Sequence, residues 1–347
     1  MRQKKILFGV IVTVLFMVVV ESLSWVWERY TWLGRQGVHD AMRYDDEDSL
    51  YLNNNEGRPQ LRPGAHLDGS KFDISINSIG FRGPELTETR PENALRVWCI
   101  GGSTTFDIFA PTNEDTWPFR LQEALQGALP DRHVEVVNAG IPGEVLSGSR
   151  DDFERFFSHV SPDYLVVYHG PNDLRFAAST DAMPAYEPSL LHAFATFRLL
   201  SRWVPIQTVR SEWLSHTIDG AQWSRISRDL RGFVDSARTK GIGVVMATHA
   251  HRASDDSVGL QARIEVGEGT TLLQMSPEEV IRSFSRYNEM VTEMVTAMTA
   301  QQEIYLADVR SVVPADREYF GDHTHFTPEG SELAAQELAR VIVEAER

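Results

Sequence analysis

Ser103 stands in Gly101-Gly102-Ser103-Thr104-Thr105, directly after the mostly apolar run Arg96 to Ile100, which reads as a buried strand. A serine at a strand end between small residues exposes its hydroxyl and lets its backbone amide face a bound carbonyl. At the far end of the chain, Asp322-His323-Thr324-His325 directly precedes a helix opened by Thr327-Pro328-Glu329. In such a turn a three-residue separation lets Asp322 reach the imidazole of His325, fix its tautomer and stabilise the imidazolium. The other ring nitrogen is then left for Ser103. Nucleophile, base and orienting acid are what cleavage of an ester demands, together with donors for the oxyanion. Two such donors follow neighbouring strands: the backbone of Gly140 and the side-chain amide of Asn172.

Other chemistries fit less well. The nucleophile turn does not match Gly-x-Ser-x-Gly, the elbow of α/β-hydrolases. The pairs His249/His251 and His323/His325, with Asp322, invite a metal reading. That reading leaves Ser103 and Asn172 without roles, so neither a metal nor any other cofactor is expected. Taken singly, Ser103 is an ordinary turn serine and Asp173 an ordinary helix cap. The combination in one order carries the weight. Arg82, in the glycine-framed Gly80-Phe81-Arg82-Gly83, either reaches over the site to hold an anionic or sugar group or pins its own segment by a salt bridge. His249, just past a strand, either lines the substrate pocket or supports the site from behind.

Four blocks together resemble the SGNH (GDSL-like) hydrolase family: Gly101 to Thr105, Asn138-Ala139-Gly140, Gly170-Pro171-Asn172-Asp173 and Asp322 to His325. The resemblance covers residues 94–347, and Gly102 departs from it where the name-giving motif has Asp. It implies Ser103 as nucleophile, His325 as base and Asp322 as its partner. The oxyanion hole would comprise the Ser103 and Gly140 backbone and the Asn172 amide. Family members act on acetylated sugars, lipids and thioesters, so the substrate stays open at this point.

The elements that must position these residues alternate. Strands are expected at 96–100, 134–137, 164–168, 242–247 and 304–309, and helices at 116–129, 150–159, from Ser276-Pro277-Glu278-Glu279 and from Thr327 to the C-terminus. Strand–helix alternation predicts a three-layer α/β sandwich around a short parallel sheet, flavodoxin-like, with the site at the carboxyl ends of the strands. Before it, residues 28–93 read as an extended lead-in with a short strand at 73–77. Between the third and fourth strands, about 175–236, lies an expected helical insertion carrying Trp203, Trp213 and Trp223.

Arg2, Lys4 and Lys5 precede an apolar run from Ile6 to Val20, and Trp25 and Trp27 follow. With no small-x-small cleavage site beyond it, residues 1–27 are expected to be an uncleaved signal anchor, a single transmembrane helix. The basic start places the N-terminus in the cytoplasm and the main domain outside it. A formal charge of −16 over 347 residues excludes nucleic acid as a natural partner. Cys99 is the single cysteine, so no intrachain disulfide forms. The expected substrate is an ester-bearing small molecule or acylated glycan of the cell envelope. O-acyl transfer to a polysaccharide, lysophospholipid or thioester hydrolysis, and non-catalytic glycan binding are the alternatives.

Overall fold

A computed structural model describes residues 2–27, 50–52, 59–69, 72–86, 90–158, 160–178, 196, 217–252, 275, 277–298 and 303–347. Among these residues five strands form one parallel sheet: β3 (Ala94–Gly101), β4 (His133–Gly140), β5 (Tyr164–Tyr168), β6 (Gly243–Ala247) and β7 (Ile304–Ala307). Their order is β4-β3-β5-β6-β7. The first strand of the sheet therefore has neighbours wound off in both directions, and its carboxyl end is the point where ligands bind in such folds. Gly101 is level with Gly140 on one side and Tyr168 on the other, so three loops leave the sheet at one height.

Alternation along the strands divides the core in two. Trp98, Ile100, Leu165, Val167, Val244 and Met246 face one layer of helices, α4 (Leu146–Phe157), α6 (Gly220–Thr239) and α7 (Pro277–Met298). Leu95, Val97, Cys99, Val166 and Val245 face the other, α3 (Trp117–Ala128) and α9 (Pro328–Ala345). The short helices α2 (Ser103–Phe106), α5 (Pro171–Ala178) and α8 (Val309–Val312) follow strand ends. Cys99 is fully buried and free, the strand residue its run implies.

Expected boundaries hold to within a few residues. Thr116 caps α3 through Phe119 N, and Thr327 caps α9 through Gly330 N. The expected cap Ser276 lies outside the described residues, as do Trp203 and Trp213. Most of the expected insertion, 179–195 and 197–216, also lies outside the described residues. α6 opens on a capping box, Asp219 with Gln222, and buries Leu230, Phe233 and Val234 in the core. It is the crossover helix between β5 and β6, and Trp223 packs on the core with it.

The lead-in is tied to the domain. A hairpin of β1 (His66–Gly69) and β2 (Phe72–Ser75) joins Leu50, Tyr51, Leu61, Ile74 and Ile76 to Phe106, Ile108 and Ile141 in a third apolar cluster. Gly80 and Gly83 take φ of +92° and +130°, and the turn between them inserts Phe81 edge-on against Trp98 and Phe156, both ring centroids 5.2 Å away.

The N-terminal helix α1 covers Arg2–Trp27. Among the described residues no helix is long and apolar enough to cross a membrane. The transmembrane span expected within residues 1–27 is therefore not supported by the described residues.

Phe81→Ala tests whether the lead-in belongs to the domain. Emptying this site should cost about 3–5 kcal/mol in urea unfolding, with a single shared transition. A separate transition for the lead-in, with the main one unmoved, would contradict its integration.

Candidate active site

The Ser103 segment is a four-residue helix with too few internal hydrogen bonds to hold itself, so its position is set by its neighbours. Thr105 Oγ1 donates to Tyr168 O at 3.1 Å, and Trp117 Nε1 to Thr104 O at 2.9 Å. A Cβ on Gly101 would sit 2.0 Å from Thr105 Oγ1, and one on Gly140 would sit 2.2 Å from Phe106 N. Glycine at both strand ends therefore lets the turn settle directly on the sheet.

Ser103 and His325, 222 residues apart, meet with Oγ to Nε2 at 2.8 Å. His325 Nδ1 lies 2.7 Å from Asp322 Oδ2, while Asp322 Oδ1 accepts the backbone N–H groups of Thr324 and His325, each at 2.8 Å. Burial alone would push the Asp322 carboxyl up. The His325 imidazole and these bonds outweigh it and hold the group well below the usual carboxylate range. A permanently ionised Asp322 fixes the imidazole with its proton on Nδ1 and leaves Nε2 free to accept one from serine. Phe109 packs edge-on against the same imidazole, centroids 5.5 Å apart, and rests where a Cβ on Gly321 would lie.

Asn172 is brought beside the Gly102-Ser103 turn. Its Nδ2 donates to Glu144 O at 2.9 Å, which leaves one amide hydrogen over, and a Cβ on Gly102 would approach that nitrogen to 2.5 Å. Glycine in place of the motif's Asp thus lets the amide lie beside the serine backbone. Asp173 does act as a cap, but for another helix: its Oδ1 accepts from Leu146 N at 2.9 Å, at the start of α4.

Three expected contacts need correction. The Gly140 N–H donates to Asn138 Oδ1 at 3.1 Å, so it is not free for an oxyanion. The loop just beyond it offers a better donor. Ile141 to Glu144 forms a turn closed by Glu144 N to Ile141 O at 3.0 Å, with Gly143 at φ +87°. This is a type II turn, and Pro142-Gly143 was its sequence signal. Its Glu144 carbonyl abuts Gly102, and the Gly143 N–H has no hydrogen-bond partner among the described residues.

Arg82 does not reach toward substrate. It is buried and donates to the carbonyls of Phe106, Asp107, Ala110 and Thr112 and to Asn113 Oδ1, at 2.8–3.1 Å. Its plane also covers the Phe106 ring at 4.7 Å. Burial lowers its pKa to about 10, against the raising effect of Asp107, Asp115 and Glu114, so it stays charged. Arg82 pins the lead-in as one alternative held, through carbonyls rather than a carboxylate.

His249 is fully buried and not part of an open pocket. It lies stacked on Phe284 at 5.4 Å and tilted on Tyr168 at 4.8 Å, and neither ring nitrogen has a hydrogen-bond partner among the described residues. Burial, then the neighbouring histidines 251, 325, 323 and 169, hold its pKa well below the ordinary value. Among the described residues no group of histidine, cysteine and carboxylate side chains could hold a metal.

With this geometry in place, comparison with known proteins is informative. The model of the GDSL-like lipase/acylhydrolase family matches residues 99–333. The chain belongs to this family. No curated protein matches it. Solved structures similar to this GDSL-like chain include a G-D-S-L family lipolytic protein from Veillonella parvula, at 13% identity and TM-score 0.45, covering 72% of this chain and 98% of that one. Others are a GDSL-like lipase from Bacteroides thetaiotaomicron (13%, 0.41, covering 76% and 93%) and a catalytic mutant of an acetylxylan esterase from Geobacillus stearothermophilus (12%, 0.42, covering 73% and 95%). At these scores the likeness carries no inference about chemistry.

Buried, neutral His249 makes stability acid-sensitive. Unfolded, it gains a proton near pH 6.5; folded, it does so only far below, so the unfolded state is favoured as pH falls through 6.5. His249→Phe should therefore lose about 1 kcal/mol less stability than the wild type between pH 6.5 and 5.5 in urea titrations. Equal losses in both proteins would show that His249 already titrates normally.

Proposed function

We propose that this GDSL-family hydrolase is a serine esterase that forms an acyl-enzyme on Ser103 and removes short acyl groups, acetyl first among them, from cell-envelope or exported glycans. The observation that carries the esterase reading is the unbroken hydrogen-bond chain from Asp322 through His325 to Ser103. In the reaction, His325 Nε2 takes the Ser103 proton as Oγ attacks the ester carbonyl. The tetrahedral oxyanion is held by the Ser103 backbone N–H, the free Asn172 amide hydrogen and the Gly143 N–H, which replaces Gly140 in this role. The imidazolium, stabilised by Asp322, then protonates the departing alcohol. Water repeats the sequence to release the acid.

The glycan assignment draws on the membrane anchor, and that reading has its own support. In α1 the side chains of Leu15, Phe16, Met17, Val18 and Val19 are all exposed, a full turn with no protein against it. A helix apolar all round is stable where lipid replaces a core. We propose that it holds the chain to a bilayer with the catalytic domain outside the cytoplasm.

Two experiments test these readings. Hydrolysis of p-nitrophenyl esters should fall as the acyl chain lengthens, and Ser103→Ala should lower it at least about a thousandfold. Turnover that survives Ser103→Ala would end the acyl-enzyme mechanism, and a preference for long chains would end the short-acyl assignment. For the anchor, the full chain should pellet with membranes and resist alkaline carbonate, while the chain lacking residues 1–27 stays in the supernatant. Release of the full chain by carbonate alone would show that α1 does not insert.

A further inference from the structure

Asp107 has no part in the chemistry just described, yet it touches both halves of the machinery. It follows α2 directly and is the single non-glycine with positive φ among the described residues, at +65°. Backbone held there costs free energy, and such strain persists only where surrounding contacts impose it. Its side chain is 1% exposed. Oδ2 accepts the backbone N–H of Trp117, the first residue of α3, at 2.9 Å and the hydroxyl of Ser331, in the first turn of α9, at 2.6 Å. Oδ1 is buried with no hydrogen-bond partner among the described residues. A strained, incompletely satisfied buried carboxylate is an expensive way to cap a four-residue helix.

Its partners suggest a purpose. Ser331 stands six residues after His325, in the helix that the base-bearing turn enters. One carboxylate oxygen thus bridges the end of the nucleophile turn and the start of the base's helix. We propose that Asp107 is a positioning residue whose carboxylate fixes the nucleophile turn to α9 and so sets the distance from Ser103 Oγ to His325 Nε2. This rests on the reading of Ser103 as nucleophile. Arg82 reinforces the arrangement by binding the Asp107 carbonyl at 3.0 Å. Burial raises the carboxyl to about 6, while Ser331, Trp117, Arg82 and His325 pull it down. It therefore remains ionised at neutral pH, with its charge felt at the imidazole.

The test uses the full chain, Asp107→Asn and Ser331→Ala, with Ser103→Ala as reference. Three quantities are read: the rate of covalent labelling by a fluorophosphonate, kcat and KM on p-nitrophenyl acetate, and the melting temperature. Labelling rate and kcat should fall together, about tenfold in Ser331→Ala and further in Asp107→Asn, with KM within about twofold of wild type. The double variant should be no slower than Asp107→Asn alone, because both substitutions break one contact. A purely structural role would lower the melting temperature and leave the labelling rate of folded protein unchanged, which would overturn the proposal. Should Asp107→Asn not fold, Ser331→Ala decides, since it keeps the carboxylate and the Trp117 bond. Failure of the wild-type chain to label would instead remove Ser103 as nucleophile and take the proposal with it, a result distinct from unaltered rates in the variants.

Discussion

Four residues of helix form too few internal hydrogen bonds to be stable alone, and the serine sits on such a piece. Everything that makes it a site follows from how it is held. The Arg82 guanidinium gathers four carbonyls in the strand-to-helix crossing just after the serine, and hydrogen bonds to a charged donor in a buried place are the strong kind. Arg82 reaches there because Phe81 beside it is sunk between Trp98 and Phe156. The lead-in, the sheet and the Ser103 turn are thereby one mechanical unit.

Much of this was legible in the residue pattern. Parallel strands covered on both faces read as continuous apolar runs, and Tyr164 to Tyr168 matches β5 residue for residue. A local signal with a mechanism, Thr327-Pro328-Glu329, placed a helix start correctly. Asp322 and His325 pair because three residues of turn bring them together whatever the rest of the chain does.

What misled was burial, which no local pattern reports. Arg82 and His249 are polar residues beside turns, and polar residues beside turns are usually wet. Here one is enclosed by carbonyls and the other by aromatic rings. Gly140 was chosen for its glycine, but its N–H is taken by a side chain two residues earlier. The Pro142-Gly143 pair carries the turn signal for the loop whose Gly143 N–H lies just beyond it. The capping box at Asp219 marks the start of the crossover helix α6, a signal the expected helical insertion did not resolve.

The pairing of Ser103 with His325 spans 222 residues, and the bond from Asp107 to Ser331 spans 224. Closing loops of that length is slow and comes late, because the entropy is lost before the contacts repay it. During synthesis Ser103 emerges long before His325, so the early partial chain cannot form this pair. A product shortened by its last thirty residues would keep the sheet's first strands and lack the imidazole entirely. The pairing is thus withheld from every copy whose synthesis has not yet passed His325.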